Sequence, residues 1–220
     1  MIGAGLGVLL PLLLTAAPAR ASVILSLSDA VAAPGDTGDY LDATLTNTGP
    51  AITVAAFSFG VSVAPGSGVN FTSVTTDTVV HPYIFAGNSL FAPDITNPGQ
   101  TLPSNAIGAS DVPADPFGFT SLATGESLAL GHILFNVDSS ASPGAVAVIV
   151  TAYPFTSLAD KDANNINIDS LVGGTIHINA AITPIPGTSL LFVTALAGLT
   201  LVLRKRSDTE KVPPGERRRT

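Results

Sequence analysis

The chain has 220 residues, enough for one domain plus sorting signals. Charged residues make up 11%, less than half the ~25% usual in soluble domains, while hydrophobic residues reach 46%. The absence of cysteine excludes a disulfide framework, a thiolate zinc site and a cysteine nucleophile, and a net charge of −7 argues against nucleic-acid binding.

Residues 2–19 carry no charge, and Gly7–Leu14 (GVLLPLLL) has the length of a signal-peptide apolar core. Ala19-Arg20-Ala21 places small residues at the two positions a signal peptidase reads, so residues 1–21 are expected to be a signal peptide cut between Ala21 and Ser22. The competing reading, a buried N-terminal helix, is disfavoured by Pro11 and by the small residues at 15–19.

The middle of the chain is poor in the unbranched side chains that cover helix surfaces and rich in Val, Thr, Ser, Gly and Pro. Strands are expected at Val23–Ser28, at Tyr40–Thr46 and at Phe57–Val63. In the second, Leu41, Ala43 and Leu45 share one face and Asp42 and Thr44 the other; in the third, Phe57, Phe59, Val61 and Val63 share a face. Val69–Thr75, Ser127–Asp138, Ala145–Tyr153 and Leu171–Asn179 follow, with Pro34-Gly35-Asp36, Pro65-Gly66, Pro98-Gly99, Ser142-Pro143-Gly144 and Gly173-Gly174 as turns. Seven to nine strands at this spacing point to an antiparallel β-sandwich over residues 22–181. Residues 86–118 read as long loops with one or two short strands.

Asp160, Asp162 and Asn164 form the Asp-x-Asp-x-Asn opening of a calcium loop. Asn165 stands where such a loop needs Gly, and Leu171 where it needs Glu, so a solvated hairpin is the stronger reading and no cofactor beyond a possible calcium ion is assigned. His81, His132 and His177 have no metal-ligand spacing and are expected to pack in, or face solvent from, ordinary structure. Neither a nucleophile elbow nor a phosphate loop is present, so no catalytic residue is assigned and the chain reads as a non-enzyme. Tyr83, Phe85, Phe91, Phe117 and Phe119 fall in or near the loose region; any left exposed could stack on sugar faces.

Charge is divided unevenly. Between Ser22 and Ala181 one lysine, Lys161, faces thirteen carboxylates, a net −12, whereas the tail from Ile182 is net +4. Thr188–Leu203 (TSLLFVTALAGLTLVL) is an uncharged run of sixteen residues followed at once by Arg204-Lys205-Arg206. As a helix it would span about 24 Å, short of the ~30 Å hydrocarbon core, with the basic stems able to snorkel over the remainder. The expected organisation is a signal peptide (1–21), an ectodomain (22–181), a linker with sorting motif (182–187), a transmembrane helix (188–203) and a basic cytoplasmic tail (204–220).

The order Pro184-Ile185-Pro186, short apolar helix, Arg204-Lys205-Arg206 resembles the PEP-CTERM sorting signal, with Ile185 where the commonest form has Glu. That resemblance implies an exosortase, a membrane cysteine peptidase, as processing partner alongside signal peptidase. It also implies an inner-membrane precursor that becomes a cell-surface or extracellular protein. The ectodomain in turn is similar to the cohesin-like domains found in such proteins. The likeness rests on Pro34-Gly35-Asp36 after the first strand, Pro143-Gly144 before the penultimate segment and Asp160–Asn167 before the last strand. It implies a jelly-roll sandwich of about nine strands. The function expected is that of an exported, non-enzymatic surface or matrix protein associated with exopolysaccharide or a protein partner. The alternatives are a membrane-anchored adhesion or scaffold module and a secreted glycan-active hydrolase.

Overall fold

Strands form where β-branched and aromatic residues alternate with small polar ones, and they end at the Gly, Pro and Asp clusters. The computed structural model describes residues 22–97, 102–152 and 155–180. The signal peptide (1–21), Ala19 and Ala21 of its cleavage site, the sorting motif Pro184, Ile185 and Pro186, the apolar run 188–203 and Arg204, Lys205 and Arg206 lie outside the described residues.

Fourteen strands occur among the described residues, and no helix. They are β1 (Val23–Leu27), β2 (Ala30–Ala32), β3 (Thr37–Asn47), β4 (Ile52–Val54), β5 (Ala56–Ser62), β6 (Val69–Thr75) and β7 (Ala106–Asp111). The rest are β8 (Thr120–Leu122), β9 (Ser127–Val137), β10 (Gly144–Thr151), β11 (Ser157–Ala159), β12 (Asn165–Ile166), β13 (Ser170–Val172) and β14 (Gly174–Ile178).

Two sheets face each other. The first has the order β13-β1-β3-β9-β6 and the second β12-β11-β5-β10-β14-β2, with β7 on the free side of β5; β4 and β8 form a separate two-stranded sheet. The count exceeds the expected seven to nine because the short strands β2, β4, β7, β8, β11 and β12 form outside the expected segments and the last segment divides into β13 and β14. The first segment leaves the first sheet after β1 and enters the second as β2, and the last does the same between β13 and β14. The two are parallel neighbours throughout, Leu25 beside Leu171 and His177 beside Val31.

The switch point demands glycine twice. A Cβ on Gly174 would lie 2.4 Å from the carbonyl oxygen of Ser28, and one on Gly173 would lie 2.3 Å from that of Val148. Backbone passes backbone here with no space for a methyl group.

The inward faces make one core. Val23, Leu25, Leu41, Leu45, Ile133 and Phe135 meet Phe57, Phe59, Val61, Val148 and Ile176, all buried. The alternation expected for Phe57–Val63 is the alternation observed. Within residues 86–118, expected to hold one or two short strands, β7 forms and pairs with β5 along its whole length. Its sequence, AIGASD, is too small-sided to announce a strand, and it becomes one because β5 offers a free edge.

Candidate functional site

The outer face of the second sheet is built from three strands in strict register. Ser58 on β5 lies opposite Ser110 on β7, Gly60 opposite Gly108 and Ser62 opposite Ala106. On the other side of β5, Gly60 lies opposite Thr151 and Ser62 opposite Ile149. These rows carry no ionisable side chain, although the ectodomain around them is net −12. Ser58 Oγ and Ser157 Oγ lie 2.9 Å apart, and the Ser110 hydroxyl donates to the Asn97 side-chain oxygen. Local hydroxyl pairing of this kind leaves the surface flat and weakly solvated.

Bulky apolar residues stand at the rim. Ile149 is 60% exposed, Phe155 47% and Leu102 38%. Phe155 leans over Gly60, where an added Cβ would sit 3.4 Å from its own. Gly60, Ala106, Thr151, Asn97, Leu102 and Phe155 help to line a shallow apolar depression of about 200 Å³. A flat uncharged sheet with an apolar rim suits the side chains of a partner protein and offers nothing that resembles a reaction centre.

No protein-family model matches the chain, and no curated protein matches its sequence. Solved structures do match it. CaCohA2 from Clostridium acetobutylicum is similar with a TM-score of 0.52 at 19% identity, over 73% of this chain and 92% of that one. A type I cohesin–dockerin complex from Clostridium thermocellum gives 0.51 at 18% identity, over 72% of this chain and 99% of the other. The sixth cohesin of scaffoldin B from Acetivibrio cellulolyticus, solved with a dockerin, gives 0.52 at 13% identity, over 72% and 99%. The fold is cohesin-like. At these identities the likeness is one of fold.

The residues singled out for calcium lie together on the β11–β12 loop. Asp160 Oδ1 accepts the amides of Asp162 and Asn164, each at 2.8 Å, while Asn164 Nδ2 donates to Asp160 Oδ2 at 3.0 Å. The Asn164 side-chain bond above all holds the Asp160 carboxyl below its ordinary range. Asp162 pairs with Lys161 at 2.7 Å. Asn164 thus turns its nitrogen rather than its oxygen toward Asp160, and Ala163, at φ +62°, closes the turn in the left-handed region. Among the described residues no group of three acidic or histidine side chains converges as a metal centre. The carbonyl of Ser22, the expected first residue after cleavage, accepts the amides of Thr48 and Gly49 at 2.8 and 3.2 Å.

Two buried carboxylates escaped sequence reasoning. Asp42, expected on an outward face, is 1% exposed because residues 76–81 fold over it; its Oδ2 accepts the amides of Val79 and Val80 at 3.0 and 3.2 Å. Asp111 is equally buried and accepts the hydroxyls of Tyr83, at 2.6 Å, and Ser89, besides the amide of Val112 at 2.8 Å. Burial first, and the Asp111 contact second, push the Tyr83 phenol well above its ordinary range. Asp42 Oδ2 is spent on loop backbone and Asp111 on hydroxyls and backbone amides, which marks both as anchors for residues 76–97, while Asp42 Oδ1 faces His132 on β9. Of the five aromatics in or near residues 86–118, Tyr83 and Phe85 are core, while Phe91, Phe117 and Phe119 are exposed.

Proposed function

We propose that the chain is an exported, non-enzymatic binding module that docks a protein partner on the outer face of β5, β7 and β10. The observation that carries this reading is the uncharged face rimmed by Ile149, Phe155 and Leu102 on an otherwise strongly acidic domain. Two of the similar cohesins were solved in complex with dockerins, which supports a protein as the class of ligand. Delivery to the cell surface or matrix follows from the signal peptide at 1–21 and the PEP-CTERM-like end, Pro184-Ile185-Pro186 through Arg206. Signal peptidase and an exosortase-type peptidase are the processing partners.

The docking test compares wild type with Ile149→Asp in co-purification from the producing cell's envelope. A partner retained by wild type and lost by Ile149→Asp, with the melting temperature unchanged, supports the reading. Equal retention by both would refute it. Sorting is tested by an ectodomain epitope and a second epitope after Thr220. Loss of the second from the surface-exposed form supports processing, and co-retention of both in the inner membrane leaves a simple anchor.

A further inference from the structure

Two loops meet at the end of the sandwich where β5 begins and β7 ends. The Asn88 carbonyl accepts the Ala114 amide at 2.7 Å and its side-chain oxygen accepts the Asp115 amide at 3.1 Å, while the Leu90 amide donates to the Val112 carbonyl at 2.9 Å. Asp115 Oδ1 accepts the Phe117 amide at 3.0 Å, and its carbonyl accepts the Gly118 amide at 2.8 Å. Gly118 is pinned as well: a Cβ there would lie 2.7 Å from the Cβ of Pro113 and 2.8 Å from Nδ2 of Asn88. This braced turn holds Phe117 89% exposed, with Phe119 48% exposed beside it. A large apolar ring kept in water by a well-bonded loop is an unmatched cost to the isolated domain.

The two rings line an open groove of about 400 Å³, and Pro113, Asp115 and Lys161 line it with them. That volume lies within the ~300–1,000 Å³ of small-molecule sites. Lys161 is the one basic residue between Ser22 and Ala181. We propose that this groove binds a neutral polysaccharide chain, its sugar rings stacked on Phe117 and Phe119 and its hydroxyls bonded to Asp115 and Lys161.

Three features select that occupant. Ring faces and hydrogen-bonding groups are interleaved in one groove, as a sugar's C–H face and hydroxyl edge require. Asp115 and Lys161 line the groove, where the core of a protein interface is depleted of charge; the Lys161 ammonium is paired with both Asp162 oxygens at 2.9 and 2.7 Å, and its remaining N–H and the Asp115 carboxylate can bond sugar hydroxyls without breaking that pair. The surrounding net charge of −12 repels polyanionic chains and anionic membrane surfaces, which leaves an uncharged polymer.

The test uses the full-length chain in non-ionic detergent on native gels cast with hydroxyethylcellulose, galactomannan or, as the charged control, polygalacturonate. Retardation by a neutral polymer and not by polygalacturonate is expected. Phe117→Ala should weaken the dissociation constant about tenfold or more, as loss of an anchoring aromatic does, and Phe119→Ala should weaken it in the same direction. Both positions are solvent-exposed, so the melting temperature should hold. Ile149→Asp should leave retardation unchanged, which keeps failure of the sheet-face reading separate from failure of this one. No retardation by either neutral polymer, or equal retardation of wild type and Phe117→Ala, overturns the proposal. So does loss of a co-purifying protein in Phe117→Ala without any polymer binding, which would make the groove a protein contact.

Discussion

Asp42 Oδ1 lies 2.7 Å from His132 Nδ1, the two being directly opposed cross-strand partners in the β3–β9 ladder. The pair is buried, with the Tyr40 ring tilted 32° against the imidazole at a centroid distance of 4.2 Å, and the other Asp42 oxygen holds the Val79 and Val80 amides. One carboxylate therefore joins the centre of the first sheet to the segment that crosses it. Asp42→Ala strands two amides and an imidazole at once and is expected to destabilise the fold by about 3 kcal/mol. Urea unfolding reads this, and a loss below about 1 kcal/mol would mean that water replaces the carboxylate. Asp42→Asn, which keeps one acceptor, should fall between.

Asp39 should show the opposite sign. Its Oδ2 is enclosed without a hydrogen-bond partner, and burial first, then the charge of Asp36, raise its carboxyl above the ordinary value of 3.8. A carboxyl with a raised folded-state pKa contributes stability below its unfolded pKa and loses it as the pH climbs through the folded value. Asp39→Asn should therefore raise the melting temperature at pH 7, by a small margin because solvent screens much of the site, with the gain fading toward pH 3. Paired thermal melts at the two pH values check it. An equal gain at both would point to a cause other than ionisation.

The switch between β13 and β14 predicts an intolerance to methyl groups. Gly173→Ala would set a Cβ 2.3 Å from the Val148 carbonyl oxygen, and neither backbone is free to yield. A loss of about 1–3 kcal/mol is expected, as for overpacking elsewhere. The amides of β10 and β14, which pair from Gly144 to Val148, should exchange faster with solvent deuterium.

Tyr83→Phe removes one hydroxyl and leaves the aromatic cluster with Phe57 and Phe85 in place. Asp111 Oδ2 then keeps Ser89 alone, and a cost of about 1–2 kcal/mol is expected. Because the phenol's pKa is raised, its contribution is whole below the ordinary value of about 10 and drains away at higher pH. Tyr83→Phe should flatten the alkaline fall in stability, measured by urea unfolding from pH 8 to pH 11. An unchanged alkaline slope would exclude Tyr83 as its source.

The sequence by itself determined the all-β class and the inward faces of β3 and β5, because alternation has a period of two and needs no knowledge of the partner strand. It also marked the turns, where Gly, Pro and Asp act on their own backbone. Tertiary structure decided the rest. Asp42 carries the pattern of a solvent-facing residue, and it is buried because a loop 34 residues later covers that face. β7 has little intrinsic strand preference and takes its form from the edge of β5. The uncharged outer face exists only once Ser58, Gly60, Ser62, Ala106, Gly108, Ser110, Ile149 and Thr151 are brought into register from three distant segments. Phe117 and Tyr83 look alike in a sequence of loose, aromatic loops. One is exposed and the other buried because a braced turn points the first outward, whereas the second finds Asp111 inside. Contacts between residues far apart in the chain leave no local periodicity, so no window of sequence contains them.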